Sequence, residues 1–212
     1  MNKRQKGFLM GWMGRIARNA GAVLACFGML SAVPAEQATS VATIEGRVGT
    51  LPHERLGGLG WVVWIDDIPG EFPPPEDHAI LGQKSLSFIP HILPILVGTT
   101  IDFPNGDPFG HNVFSISPAK KFNLGLYPKG RVPTVLFDKP GIVAVLCNVH
   151  PEMSAYIIVL KTPFFAVAGP DGHFIIRNVP SGSRLVRCWS EDGKIQERKV
   201  TLGAGTVQTI DF

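Results

Sequence analysis

An all-β fold is predicted for this chain by three features. Glycine and proline are frequent, 24 and 18 among 212 residues. No long stretch carries amphipathic helical periodicity, and short apolar or alternating runs are parted by clusters of turn-forming residues. A chain of this length can bury one full core and has room for a small second module.

The first 35 residues are expected to be an export signal rather than part of the fold. Lys3, Arg4, Lys6, Arg15 and Arg18 precede an apolar run over 20–33, and Val33-Pro34-Ala35 offers small residues where a signal peptidase would cut. The run is shorter than the roughly 20 residues that a spanning helix needs, so no membrane association is expected after cleavage. The protein is therefore expected in the periplasm or outside the cell. Those five residues are a quarter of the 20 Lys and Arg, so without them the 17 acidic residues outnumber the basic ones and the formal charge of +3 turns weakly negative. Nucleic-acid binding usually shows a concentrated basic footprint, and none remains.

Residues 40–161 read as a series of sandwich strands. Thr99-Thr100-Ile101-Asp102-Phe103 alternates with period 2, and residues 111–116 alternate again after the turn Pro104-Asn105-Gly106-Asp107-Pro108. Residues 132–137 and 142–146 flank Asp138-Lys139-Pro140-Gly141, a turn by composition. Residues 155–160 form a β-branched and aromatic run that ends before Pro163. From 162 to 212 a second series follows, with strand signals at 164–168, 174–176 and 185–189 separated by Gly169-Pro170-Asp171-Gly172 and Pro180-Ser181-Gly182-Ser183, and a hairpin turn at Asp192-Gly193. About 50 residues are few for an independent core.

The chemistry is concentrated in one short loop. Cys147, His150 and Met153 stand as C-x2-H-x2-M between two predicted strands, and His111 opens an earlier strand that can reach the same end of the sandwich. One thiolate, two imidazoles and a weak axial thioether form the donor set of a blue-copper site. Zinc accepts Cys and His but rarely a thioether, so Met153 favours copper. Cys147 lies between Leu146 and Asn148 rather than between two histidines, as a multicopper oxidase would require, and the loop lacks the second cysteine of a binuclear purple centre. Cys26 leaves with the export signal, which strands Cys147 and Cys188 where two thiols normally oxidise; a Cys147–Cys188 disulfide is the competing expectation.

At these residues the chain resembles the cupredoxins of the plastocyanin and amicyanin type. The supporting phrases are Val97-Gly98-Thr99-Thr100-Ile101-Asp102-Phe103-Pro104-Asn105, then His111-Asn112-Val113-Phe114-Ser115, then Pro140-Gly141 leading to Cys147. Two further phrases, beginning at His91 and at Phe122, resemble bacterial cupredoxin-domain proteins labelled methylamine utilisation proteins. The resemblance implies a Greek-key cupredoxin β-sandwich at 40–161, with His111, Cys147 and His150 as equatorial copper ligands and Met153 as the axial one. It also implies that the Asn112 amide helps to fix the cysteine-bearing loop. Electrons would enter and leave at the exposed edge of His150, with Pro108, Phe109 and Pro151 facing a partner such as a cytochrome c or a periplasmic dehydrogenase, and the protein would be a monomer. Where the family has an aromatic residue just before its cysteine, this chain has Ala144, Val145 and Leu146. The phrase Asp171-Gly172-His173-Phe174-Ile175-Ile176-Arg177-Asn178-Val179-Pro180 resembles carboxypeptidase regulatory-like, transthyretin-type β modules, as do Gly46-Arg47-Val48 and Trp61-Val62-Val63-Trp64-Ile65. The segment 42–65 therefore offers strands to the module at 162–212.

The expected function is that of an exported blue-copper protein that carries single electrons between redox partners. The alternatives are copper binding or storage without redox turnover, and a structural β-sandwich binding protein. No nucleophile elbow or phosphate-binding glycine loop occurs, and four filled ligand positions leave none for a substrate, so no enzyme is expected. His91, ahead of an apolar strand, is expected to be packed and hydrogen-bonded, and His53, His78 and His173 to be solvated.

Overall fold

The computed structural model describes residues 40–49 and 60–212, and its regular elements there are all strands. The predicted export signal, Cys26 and His53 lie outside the described residues. In chain order β1 (Val41–Arg47) and β2 (Trp61–Ile65) come first. Then follow β3 (Ala79–Ile80), β4 (Gly82–Lys84), β5 (Ser87–Ile89), β6 (Ile92–Leu96), β7 (Thr99–Asp102), β8 (His111–Ser115), β9 (Phe122–Tyr127), β10 (Thr134–Phe137), β11 (Gly141–Cys147) and β12 (Ser154–Leu160). The chain closes with β13 (Phe165–Val167), β14 (His173–Pro180), β15 (Gly182–Ser190), β16 (Ile195–Leu202) and β17 (Val207–Thr209). The all-β expectation holds, and no helix among the described residues is long and apolar enough to cross a membrane.

Two sandwiches account for all these strands except β4 and β5, which pair with each other as a hairpin. In the first, a sheet ordered β6-β12-β11-β8-β9 faces the smaller sheet β10-β7-β3. Between them lies a core built from Ile101 and Phe103, Val113, Phe137, Val143 and Val145, and Ala155, Ile157 and Val159. In the second, the sheets β14-β1-β17 and β13-β2-β15-β16 enclose Ala42, Ile44, Val63, Ile65, Phe174, Ile176, Val186 and Cys188.

Strand periodicity explains how the two are joined. Successive side chains point to opposite faces of a sheet, and in β12 both faces are covered. Ala155, Ile157 and Val159 enter the first core, while Ile158 and Leu160 point the other way. β2 does the same from the opposite side, with Trp61, Val63 and Ile65 in the second core and Val62 and Trp64 outward. The outward sets meet, with Ile92 and Trp189, in a third apolar cluster. Continuous apolar runs such as Trp61-Val62-Val63-Trp64-Ile65 are what a strand buried on both faces requires.

β1 and β2 precede the first sandwich in sequence but pair with late strands. β1 lies between β14, antiparallel, and β17, parallel, and β2 lies between β13 and β15. The apolar faces of Ala42, Ile44 and Val63 are covered there by Phe174, Ile176 and Val186, which gives the C-terminal strands the core that 50 residues alone could not build. At β1 the fit requires a glycine. A side chain at Gly46 would meet the Ile210 carbonyl oxygen at 1.7 Å.

The predicted strands at 99–103, 111–116, 142–146 and 155–160 appear as β7, β8, β11 and β12, with ends shifted by one residue. The strand expected at 132–137 begins only at Thr134, because Pro133 has no backbone N–H to give to a ladder; its carbonyl accepts from Phe103 N–H instead. The cysteine pair expected as a possible bridge is separated. Cys147 packs in the first core and Cys188 in the second, and both are free thiols.

Candidate metal centre

The hairpin β11–β12 and the start of β8 create the site. The last pair of the hairpin is Leu146 with Ser154, so Cys147 and Met153 leave the ladder side by side, and the Met153 N–H donates to the His150 carbonyl at 3.0 Å to close the loop. Cys147 is opposite Val113 in β8. Val113 faces the core, and by period 2 His111 faces the same side two residues earlier, at the end of the sandwich where the loop lies. Cys147 is 4% exposed, Met153 1% and His111 fully buried.

Three donor atoms converge. His111 Nδ1 is 3.1 Å from His150 Nδ1, and Cys147 Sγ is 4.0 Å from the first and 3.9 Å from the second. The point equidistant from all three is about 2 Å from each, the length of a bond from a first-row metal ion to imidazole nitrogen or thiolate sulfur. One sulfur and two nitrogens so placed fit a metal ion that accepts soft and borderline donors.

The far side of the His111 ring is held by Asp107, which the sequence analysis did not single out. Asp107 Oδ2 is 3.0 Å from His111 Nε2. A carboxylate accepts, so the ring hydrogen is on Nε2, and in the neutral ring Nδ1 offers its lone pair to the centre. The same carboxylate accepts the backbone N–H of Ser85 at 2.7 Å and of Leu86 at 3.1 Å. Burial works to raise the Asp107 pKa, but the bonds from Leu86, His111 and Ser85 and the charge of His111 outweigh it and hold the carboxyl below its usual 3.8. Asn105 completes the turn: its Oδ1 accepts the Asp107 N–H, and its Nδ2 donates to the carbonyls of Phe109 and Tyr127.

Beneath His111 is a second buried set. Tyr127, paired with His111 across β8 and β9, donates its hydroxyl to the Phe103 carbonyl at 3.0 Å and accepts from Gln83 Nε2 at 2.6 Å. Burial pushes the Tyr127 phenol up to about 12; the Gln83 bond opposes this and the Cys147 charge adds to it.

The other predicted residues fall as follows. Phe109 is 42% exposed, and its ring centre lies 5.3 Å from that of His111 and 5.5 Å from that of His150. Pro108 and Pro151 are exposed, and His150 is half-buried. Asn112 differs from its expected role. Its Nδ2 donates to Asn123 Oδ1 at 2.7 Å across β8 and β9, and its buried Oδ1 has no partner. Alternation along β8 turns it away from the side that His111 faces, so no bond among the described residues ties it to the cysteine-bearing loop. His91 is packed as expected, with Nδ1 donating to the Ser154 carbonyl and Nε2 3.0 Å from Glu191 Oε1. His173 is half-buried on β14, and His78 is exposed with Nδ1 2.7 Å from Asp102 Oδ1.

Cys188 is chemically distinct from Cys147. Burial pushes its thiol from 9.0 up to about 12, against a small opposing pull from Arg198. A thiol whose folded pKa is raised stabilises the fold fully below the unfolded value and loses that contribution as pH rises through the folded one. Stability should therefore fall between pH 9 and about 12, and a Cys188→Ala variant should fall less steeply in urea titrations over that window. Equal slopes would show that Cys188 ionises freely in the folded protein.

No protein-family model matches the chain, and no curated protein matches it. Among solved structures it is similar to the copper-containing nitrite reductase from Thermus scotoductus SA-01, with 26% sequence identity and a TM-score of 0.39 over 46% of this chain and 25% of that one. The chain thus spans a quarter of that reductase. It is also similar to amicyanin from Paracoccus versutus, with 23% identity and a TM-score of 0.37 over 41% of this chain and 91% of that one. A third is the purple cupredoxin from Nitrosopumilus maritimus, with 26% identity and a TM-score of 0.34 over 38% of this chain and 98% of that one.

Proposed function

We propose that this protein is an exported blue-copper electron carrier with His111, Cys147 and His150 as equatorial ligands and Met153 as the axial one. The observation that carries the proposal is the convergence of one thiol sulfur and two imidazole nitrogens within 4.8 Å of one another at the closed end of a β-sandwich. Met153 selects copper over zinc, since a thioether is a poor zinc ligand.

When bound, copper supplies a one-electron couple between its cuprous and cupric states. The chain's own part is to keep the donors still while the charge changes. Cys147 and His111 are fixed by paired strands, His150 and Met153 by the bond that closes their loop. Loops over the site exclude water from the sulfur, which is almost fully buried. Electrons pass at the half-exposed edge of His150, where Phe109, Pro108 and Pro151 offer an apolar surface suited to a small, brief interface. The partner would be a cytochrome c or a periplasmic dehydrogenase, as in a methylamine-utilising system, and the carrier itself performs no substrate chemistry. Within residues 40–161 the copper sandwich takes its strands from the stretch between β3 and β12, and the strands of 162–212 form a transthyretin-type module that draws on β1 and β2.

Titration with Cu(II) should load one ion and give an intense visible absorption from thiolate-to-copper charge transfer. One copper bound without that band would overturn the carrier assignment. A protein that releases its copper at each reduction would be a store rather than a carrier. Met153→Leu should keep copper and colour while shifting the reduction potential upward, because the axial thioether helps to stabilise the cupric state; an unchanged potential would remove Met153 from the ligand set.

A further inference from the structure

We propose that Asp107 is a positioning residue for the metal centre: its carboxylate fixes the His111 ring in the tautomer whose Nδ1 faces Cys147 and His150, and strengthens that ring as a donor. The second half of this statement rests on the copper assignment, whereas the first concerns the metal-free protein alone.

A neutral imidazole carries its hydrogen on either nitrogen. With the hydrogen on Nδ1, His111 would point an N–H at the cluster and have no lone pair there, even though every atom stayed in place. His111 is fully buried, so water does not decide between the two forms. Asp107 does, from 3.0 Å on the Nε2 side. A backbone carbonyl would also select this tautomer, but a carboxylate does more, because a charged acceptor makes a stronger bond and increases the basicity of the ligating nitrogen.

The carboxylate is itself held in place at a conformational cost. Ser85 and Leu86, the turn of the β4–β5 hairpin, have φ of 54° and 59°, a left-handed conformation that a two-residue hairpin turn normally fills with Asn or Gly. Their two N–H groups are the ones that Asp107 accepts, one on each oxygen, while Asn105 Oδ1 holds the Asp107 N–H at 2.9 Å. Asp107 is 5% exposed. Strain of this sort persists where the surrounding structure over-determines it. Through Asp107 the turn of the hairpin is thus linked to the His111 ring.

The test uses the full chain with Asp107→Asn. Asparagine keeps the shape but can satisfy either tautomer, by accepting through Oδ1 or donating through Nδ2. Because loss of the carboxylate also frees the strained turn, the same substitution is made in a Leu86→Gly background, where glycine tolerates the left-handed φ. In metal-free protein, imidazole ¹⁵N shifts should report a His111 hydrogen on Nε2 in the wild type and a mixture of tautomers in both Asn variants. With copper, affinity for Cu(II) should fall about 10- to 100-fold and the reduction potential should rise, changes that a purely structural role would not produce in a variant that still folds. An unchanged tautomer together with unchanged copper affinity would overturn the proposal. Should the wild type bind no copper, the carrier assignment fails, and the metal-free tautomer still decides the role of Asp107: a shift upholds the positioning, no shift refutes it.

Discussion

Cys147→Ser should yield a folded protein that gains no intense visible band on addition of Cu(II). Serine has the shape of cysteine with a smaller terminal atom, and Cys147 is the last residue of β11, whose pairing with β8 and β12 does not involve its side chain. The backbone frame and both imidazoles therefore stay. What disappears is the soft, polarisable donor from which charge transfer to copper draws its intensity, and a hydroxyl does not replace it. The cost to stability is modest, about 1–3 kcal/mol for a hydroxyl buried without a good partner, which urea unfolding would register separately from the spectrum. A serine variant that kept the colour would mean that the thiolate is elsewhere, and Cys188, the other free thiol among the described residues, would be the next candidate.

The largest loss of stability is expected far from the metal centre, at Trp189→Ala. Trp189 is 2% exposed, lies tilted against Tyr156 with ring centres 5.0 Å apart, and belongs to the apolar cluster where β2 and β15 meet β6 and β12. Removing a buried indole costs about 3–5 kcal/mol, a large part of the about 5–15 kcal/mol that holds a typical domain. Because the cavity opens between two cores rather than within one, the unfolding curve should also divide, with the second sandwich melting first. A single transition displaced by less than about 1 kcal/mol would show that Trp189 contributes little to the join. Copper binding at low denaturant should persist, since no member of the metal cluster touches this region.

What could be read from the sequence, and what could not, follows the range of the interactions. Alternation at Thr99-Thr100-Ile101-Asp102 and the β-branched run of β12 are local signals and located their strands to within a residue. Cys147, His150 and Met153 are equally local, and spacing alone placed them on one loop. His111 required one longer step, supported by its position at the start of a strand. Pairing between distant strands has no such local signature, so the association of β1 with β14 and β17, and of β2 with β13 and β15, had only a resemblance of short phrases behind it. Asp107 shows the same limit within the site. In sequence it is one acidic residue in a turn rich in Pro, Asn and Gly, where acidic residues are common. Its importance comes from the amides of Ser85 and Leu86 and from the ring of His111, which only the fold brings to it. A carboxylate four residues before a strand-initial histidine was the available signal. Asn112 errs in the other direction: its position beside His111 suggested a link to the cysteine loop, and strand alternation sends its amide to Asn123 instead.

β12 is a party wall. Neighbouring residues along it belong to different rooms, Ile157 to the one with the candidate metal centre and Ile158 to the one behind. A shift of a single residue would therefore exchange the linings of both, which leaves this strand far less freedom to drift than one with an outer face in water. Severing the chain after residue 161 would remove Trp189 and both strands that β2 pairs with, and with them the frame that holds Val62 and Trp64 over Ile92, Ile158 and Leu160. The half that holds the candidate metal centre thus relies on the other half as its insulation.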